Sequence, residues 1–277
     1  MRKPNTIKGP QLRVAVSIGS RYSAEIGRQV RAMIEDANSQ ILSLFENGDY
    51  DGDYGMDGNI GSQARITLNS LIEKWEKVFA QMASRVTTKM QDQVLANSTS
   101  AIQQTLKGFA GENLTLNPGA ISAQMREMLT ASAAESTGLI KSIPSKYLED
   151  LGGSVMRSIV SGKGMADLQP QLAIHAVSIK NWAKNTALDQ TRKVYTHTNI
   201  ARLKKAKIRK FEWVHSGGGA HPRKLHQEMN GKIYDMDNPP FIGVMYGRDV
   251  YGFPSDLPNC RCVLRPVLDF GGEDADS

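Results

Sequence analysis

Cysteine is almost missing from this chain: its 277 residues hold two, Cys260 and Cys262. Two thiols cannot staple a disulfide scaffold, and with a single residue between them a bridge to each other is strained. The fold must therefore rest on buried apolar surface, which a chain of this length can supply. A reducing compartment is the simplest home for such thiols. Long hydrophobic runs are also missing. Nothing approaches the roughly 18 apolar residues of a membrane-crossing helix. The polar, basic start Met1–Pro10 has no apolar stretch behind it, so no signal peptide is expected. Aromatics are scarce at 6%, while methionine, at 12, is common and leans the chain towards helices. Glycine (25) and proline (11) stand at ordinary levels, which excludes a collagen-like or wholly disordered chain.

Charge is present in blocks. The net charge is +6, yet residues 1–31 hold seven Lys/Arg against one acid, and residues 32–60 hold seven acids and no Lys/Arg. Residues 192–210 hold eight Lys/Arg and no acid. Such blocks suit a polyanion or a complementary protein surface, although many are merely solvated faces.

Apolar periodicity then organises the chain. Residues 1–20 read as a basic arm. Tyr22 to Phe45 carries Ile26, Val30, Met33, Ile34 and Ile41 on one helical face, and residues 47–61 form an acidic Gly/Asp loop. Residues 63–107 repeat apolar side chains at three- and four-residue steps from Leu68 to Val94, one face of a long amphipathic helix. Further helices are expected over 119–134, 144–161, 165–173 and 178–205. Beyond that the period changes. Phe211, Trp213 and His215 alternate as in a strand, and turn signals follow at Gly217, Asn230-Gly231, Pro239 and Pro258. The fold class read from this is mainly α: an elongated helical body over 21–205, then a small irregular α+β module over 206–270 and an acidic tail over 271–277.

Three features invite chemistry. The run Asp49-x-Asp51-x-Asp53 resembles the start of a calcium loop, but Tyr54 and Ile60 stand where an EF-hand needs Gly and a bidentate Glu. A mobile acidic loop, or a contact loop for a basic partner, is the preferred reading. Cys260-Arg-Cys262 offers two soft ligands, and with His226 and one of His215 or His221 it could complete a tetrahedral zinc set. The set expected from the sequence is Cys260, Cys262, His226 and His215. The plainer alternative is a pair of half-buried thiols in a small core, with the histidines making structural hydrogen bonds. The same residues could host catalysis, with Cys260 and His226 as nucleophile and base or Glu228 beside a metal-bound histidine. No nucleophile elbow, H-E-x-x-H or phosphate loop supports this, and no catalytic residue is assigned. Last, Lys204, Lys205, Lys207, Arg209 and Lys210 could neutralise phosphates of duplex DNA without sequence preference.

The order of features is itself informative. A helix bearing Ala187-Leu-Asp-Gln-Thr-Arg-Lys-Val-Tyr-Thr-His-Thr-Asn-Ile-Ala-Arg202 leads into Phe211-Glu-Trp-Val-His215. Then come Pro222-Arg-Lys-Leu-His226, Asn230-Gly231, Pro258-Asn-Cys-Arg-Cys262 and Arg265-Pro-Val267. This order resembles the phage Mu F-like minor head proteins, the phage head morphogenesis family, over about residues 165–268. The resemblance implies a non-enzymatic virion component of a tailed bacteriophage, bound to the portal or the major capsid protein and assembled in the host cytoplasm. It implies assistance in procapsid assembly and in genome packaging or delivery, near packaged double-stranded DNA and away from membranes. Residues 1–164 lie outside it.

Overall fold

The computed structural model describes residues 6–46, 58–110, 120–217 and 221–269. Five long helices dominate these: α1 (Val16–Glu46), α2 (Gly58–Ala110), α3 (Ala123–Lys141), α4 (Ile143–Val160) and α5 (Gly164–Lys205). A short strand β1 (Thr6–Lys8) precedes them. After them come β2 (Lys210–Val214), α6 (Lys224–Glu228), β3 (Ile233–Asp235), β4 (Phe241–Met245), β5 (Arg248–Tyr251) and β6 (Val263–Asp269). The protein is thus mainly α with a small strand-bearing C-terminal region, as the periodicity implies. The acidic run from Asp49 to Asp53 and the tail over 271–277 lie outside the described residues.

The chain divides into two compact units. One comprises Met1–Gly19, Lys89–Ser132 and Leu188–Ser277, the other Ser20–Thr88 and Ala133–Ala187. The sequence-drawn boundary at residue 205 falls inside the first of them.

The described residues of the second unit are helical apart from short turns. Ile26, Val30, Met33, Ile34, Ala37 and Ile41 recur at the helical period and are all buried, as are Leu71, Phe79, Tyr147, Leu151 and Val155 from α2 and α4. Polar pins fix the register of α1 against α2. Asp36 accepts hydrogen bonds from Trp75 Nε1 at 2.7 Å and Lys74 Nζ at 2.8 Å. Tyr22 and Thr87 share a buried hydroxyl contact at 3.2 Å. The single helix α5 replaces the two expected over 165–173 and 178–205. Nothing between Ile174 and Val177 breaks a helix, and Pro170, in the second turn, forgoes one hydrogen bond to the Ala166 carbonyl without ending it.

The first unit holds a four-stranded antiparallel sheet in the order β1-β6-β2-β3. Residues 6–8 are therefore not a free arm. Ile7 pairs with Leu268, Gly9 donates to the Pro266 carbonyl at 2.8 Å, and Leu12 bridges Leu264. Lys8 pairs with Glu212. β2 lies between β6 and β3, so Phe211 and Trp213 are fully buried while Glu212 and Val214 on the other face are nearly so. The alternation at Phe211 and Trp213 marks the strand, but both faces are covered.

Candidate functional site

Residues 215–262 form a long excursion between the two central strands, and it returns to its own start. At one end, β2 delivers Trp213 into the core, and the chain then runs to α6. This helix is five residues long, too short to persist without tertiary contacts. Its closure follows the Asn-Gly signal: Gly231 takes φ +80° and its amide donates to the Trp213 carbonyl at 2.8 Å. His226 is carried inward on α6, and the edge of its ring meets Trp213 with centroids 5.0 Å apart at 67°.

At the other end, a tight segment presents the two thiols. Ser255 and Asn259 both adopt positive φ, +80° and +60°, an uncommon conformation that asparagine tolerates best. Each is held in place. The Ser255 hydroxyl donates to the Cys262 carbonyl at 3.2 Å, and the Asn259 amide donates to Asp189 Oδ2 at 2.7 Å. Asp189 also pairs with Arg192, and His197 contacts Asp256 at 2.7 Å. Asp256 in turn accepts the Phe253 amide, and a Cβ at Gly252 would stand 2.5 Å from its carboxylate. Helix α5 thus clamps the thiol-bearing segment through Asp189 and His197.

His226, Cys260 and Cys262 meet at the centre. Each is 3% exposed. His226 Nδ1 lies 3.5 Å from Cys260 Sγ and 3.7 Å from Cys262 Sγ. The three potential ligand atoms all lie within 4.8 Å of one another. His226 Nε2 lies 3.0 Å from the Ile242 carbonyl, which can only accept, so Nε2 carries the proton and Nδ1 turns a lone pair towards the sulfurs. The backbone amides of Ser255 and Cys262 favour a charged Cys260 sulfur, and the Ser216 amide favours a charged Cys262 sulfur. The hydrogen bond from the Cys262 thiol is the main influence holding Cys260 below the ordinary thiol range, with His226 and the amides adding to it against burial. Cys262 moves the opposite way because it keeps the shared proton and is buried beside a developing negative charge.

The expected ligand set is corrected at one position. His215 does not join the cluster: its Nδ1 accepts the Gly217 amide at 3.1 Å and its own amide donates to Asn230 Oδ1 at 2.9 Å. His221 is exposed and also stands outside. Asp189, His197 and Asp256 carry roles that single residues do not advertise. The only local hint was the acid–base pair Asp189/Arg192, one helical turn apart.

The basic run is largely engaged. Lys204 and Arg209 share Asp237 at 2.8 and 2.6 Å, and Lys210 pairs with Asp269. Lys205 and Lys207 are exposed, with no ion pair among the described residues. A cavity of about 310 Å³ lies nearby, lined among others by Arg13, Arg192, Tyr195, Ser216, Ser255 and Arg261. None of His226, Cys260 and Cys262 lines it.

Comparison with known proteins now has a structure to rest on. Residues 149–265 match the family model described as phage Mu protein F like protein. The match runs from within α4 to β6, so it takes in α5, the excursion and all three cluster residues. A protein of Haemophilus influenzae, described as uncharacterized, is 30% identical over 276 residues. The alignment covers 97% of this chain and 59% of that protein, so the chain spans a little over half the length of this relative. No solved structure matches.

Proposed function

With residues 149–265 matching the phage Mu protein F like family, we propose that this chain is a minor head protein of a tailed bacteriophage. It acts in head morphogenesis, attached at the portal vertex or to the inner face of the capsid, and assists procapsid assembly and genome packaging or delivery. The observation that carries this reading is the family match itself, which takes in α5, β2, the clamped excursion and all three cluster residues. We read the role as structural rather than enzymatic. A catalytic site gathers reactive groups around a cavity. Here the reactive groups are buried 3% exposed and do not line the nearby cavity. No described helix is long and apolar enough to cross a membrane.

The partners that fit are the portal protein and the major capsid protein. Of the basic run, Lys205 and Lys207 are the residues open to DNA without giving up an ion pair, since Lys204, Arg209 and Lys210 meet Asp237 and Asp269. Two phosphate contacts give a salt slope of only about −2, so duplex affinity is weak and non-specific.

The test is co-sedimentation of the full chain with procapsids assembled with and without portal protein. Retention on portal-bearing shells and loss from portal-free ones assigns the portal as the partner. Equal retention on both assigns the capsid lattice. A chain that stays in the supernatant with both defeats the assembly role.

A further inference from the structure

We propose that His226 Nδ1, Cys260 Sγ and Cys262 Sγ bind one zinc ion in a buried site that staples the two ends of the 215–262 excursion. The first support is metric. Zinc–sulfur bonds of about 2.3 Å and a zinc–nitrogen bond of about 2.05 Å at tetrahedral angles place nitrogen and sulfur about 3.6 Å apart. The two nitrogen–sulfur separations here are 3.5 and 3.7 Å. The nitrogen therefore already stands at tetrahedral-ligand distance from both sulfurs.

The second support is the chemistry of the donor set. Metal-binding histidines usually donate their other ring N–H to a carbonyl or carboxylate, which sets the tautomer and the ring plane. His226 does so with Ile242. Two thiolates cancel the charge of a divalent ion, so an ion held at this depth brings no net charge into the core. Soft sulfur with imidazole favours zinc over magnesium or calcium, which take oxygen.

The third support is architectural. The excursion has a five-residue helix, a three-residue strand and a two-stranded hairpin, too little regular structure to fix its own ends. The ligands lie 34 and 36 residues apart in sequence, so one ion closes the whole loop. No fourth His, Cys, Asp or Glu joins the group among the described residues. The fourth coordination position therefore belongs to water or a small exogenous ligand.

The experiment uses the full chain, purified without a metal-binding tag. Elemental analysis is expected to find about one zinc per chain in wild type and in His215→Ala, and below about 0.1 in His226→Ala, Cys260→Ser and Cys262→Ser, following single-site binding. Cobalt(II) added to chelator-treated wild type reads the ligands independently of whether any variant folds. Sulfur-to-cobalt charge transfer in the near ultraviolet with intense visible bands is expected, together with a shift of the visible bands on adding cyanide at the open position. Wild type that takes up neither zinc nor cobalt overturns the proposal. So does loss of metal in His215→Ala equal to that in His226→Ala, because it would place a different histidine on the ion.

Discussion

The two units bury different things. Among the described residues of the helical unit, every buried polar residue is a hydroxyl, namely Thr87, Ser136, Ser154 and Ser158. Such groups are readily satisfied by nearby carbonyls or by one another. Ser158, for instance, donates to the Gly164 carbonyl at 2.6 Å. The sheet-bearing unit buries Gln190, Asn199, Arg202, Glu212 and His226 as well. Several groups there lack partners among the described residues, including Asn199 Nδ2 and Arg202 Nε. Polar interiors cost stability unless each member is matched, and they specify one arrangement when it is. One unit is therefore stabilised by apolar packing, while the other spends stability on a specific constellation. The family match takes in most of that second kind of interior.

The sharpest way to test the contrast is to hollow out the apolar unit. Phe79 is fully buried in α2 and stacks edge-on with Trp75. Phe79→Ala should cost about 3–5 kcal/mol. In hydrogen exchange, protection should fall over residues 22–45 and 68–86. A cost below about 1 kcal/mol would mean that the helical core repacks freely.

A smaller loss should follow removal of residues 1–12. That strips β1 from β6, takes Lys8 from buried Glu212 and removes buried Leu12, for about 2–3 kcal/mol. Exchange should quicken in β2 and β6 while the helical unit keeps its protection. An unchanged β6 would show that the N-terminal strand contributes nothing.

Arg202 gives a test of opposite sign. It is 5% exposed, burial lowers its basicity, and its Nη1 donates to the Leu95 carbonyl at 3.1 Å with no carboxylate partner among the described residues. Replacing an uncompensated buried charge by an apolar chain of similar length is often neutral or stabilising. Arg202→Met should shift stability by no more than about 1 kcal/mol, on the stabilising side if at all, in denaturant titration. A loss above about 3 kcal/mol would show that this polar interior is fully compensated.

The smallest effect concerns pH. Burial works to raise the Asp36 carboxyl, but hydrogen bonds from Lys74, Gln40 and Trp75 outweigh it and leave the pKa below the ordinary value. The sign follows from a depressed folded-state value. The contribution is complete above about pH 4, the unfolded value, and disappears as pH falls through the folded one. Asp36→Asn should therefore lower stability at neutral pH and flatten its decline below about pH 4. Parallel acid-unfolding curves for wild type and variant would remove Asp36 from the account.

Much of the protein was legible in one dimension. The helical period of Ile26 to Ile41 and of Leu68 to Val94 dictated long amphipathic helices, because periodicity is a local property of the chain. The alternation at Phe211 and Trp213 dictated a strand, and Asn230-Gly231 a turn. Cys260, Cys262 and a histidine were recognisable as a ligand-type set from their chemistry. Tertiary structure alone decided that Thr6–Lys8 pairs with residues 267–269 at the far end of the chain, because strand partners at such separation leave no mark on local pattern. It decided that His215, expected beside His226 in the set, stays apart from the thiols, since its Nδ1 is taken by the Gly217 amide. It also decided that Lys204, Arg209 and Lys210 meet carboxylates at the surface. Side-chain pairing across 28 to 59 residues is a matter of distance in space, which charge order along the chain does not encode.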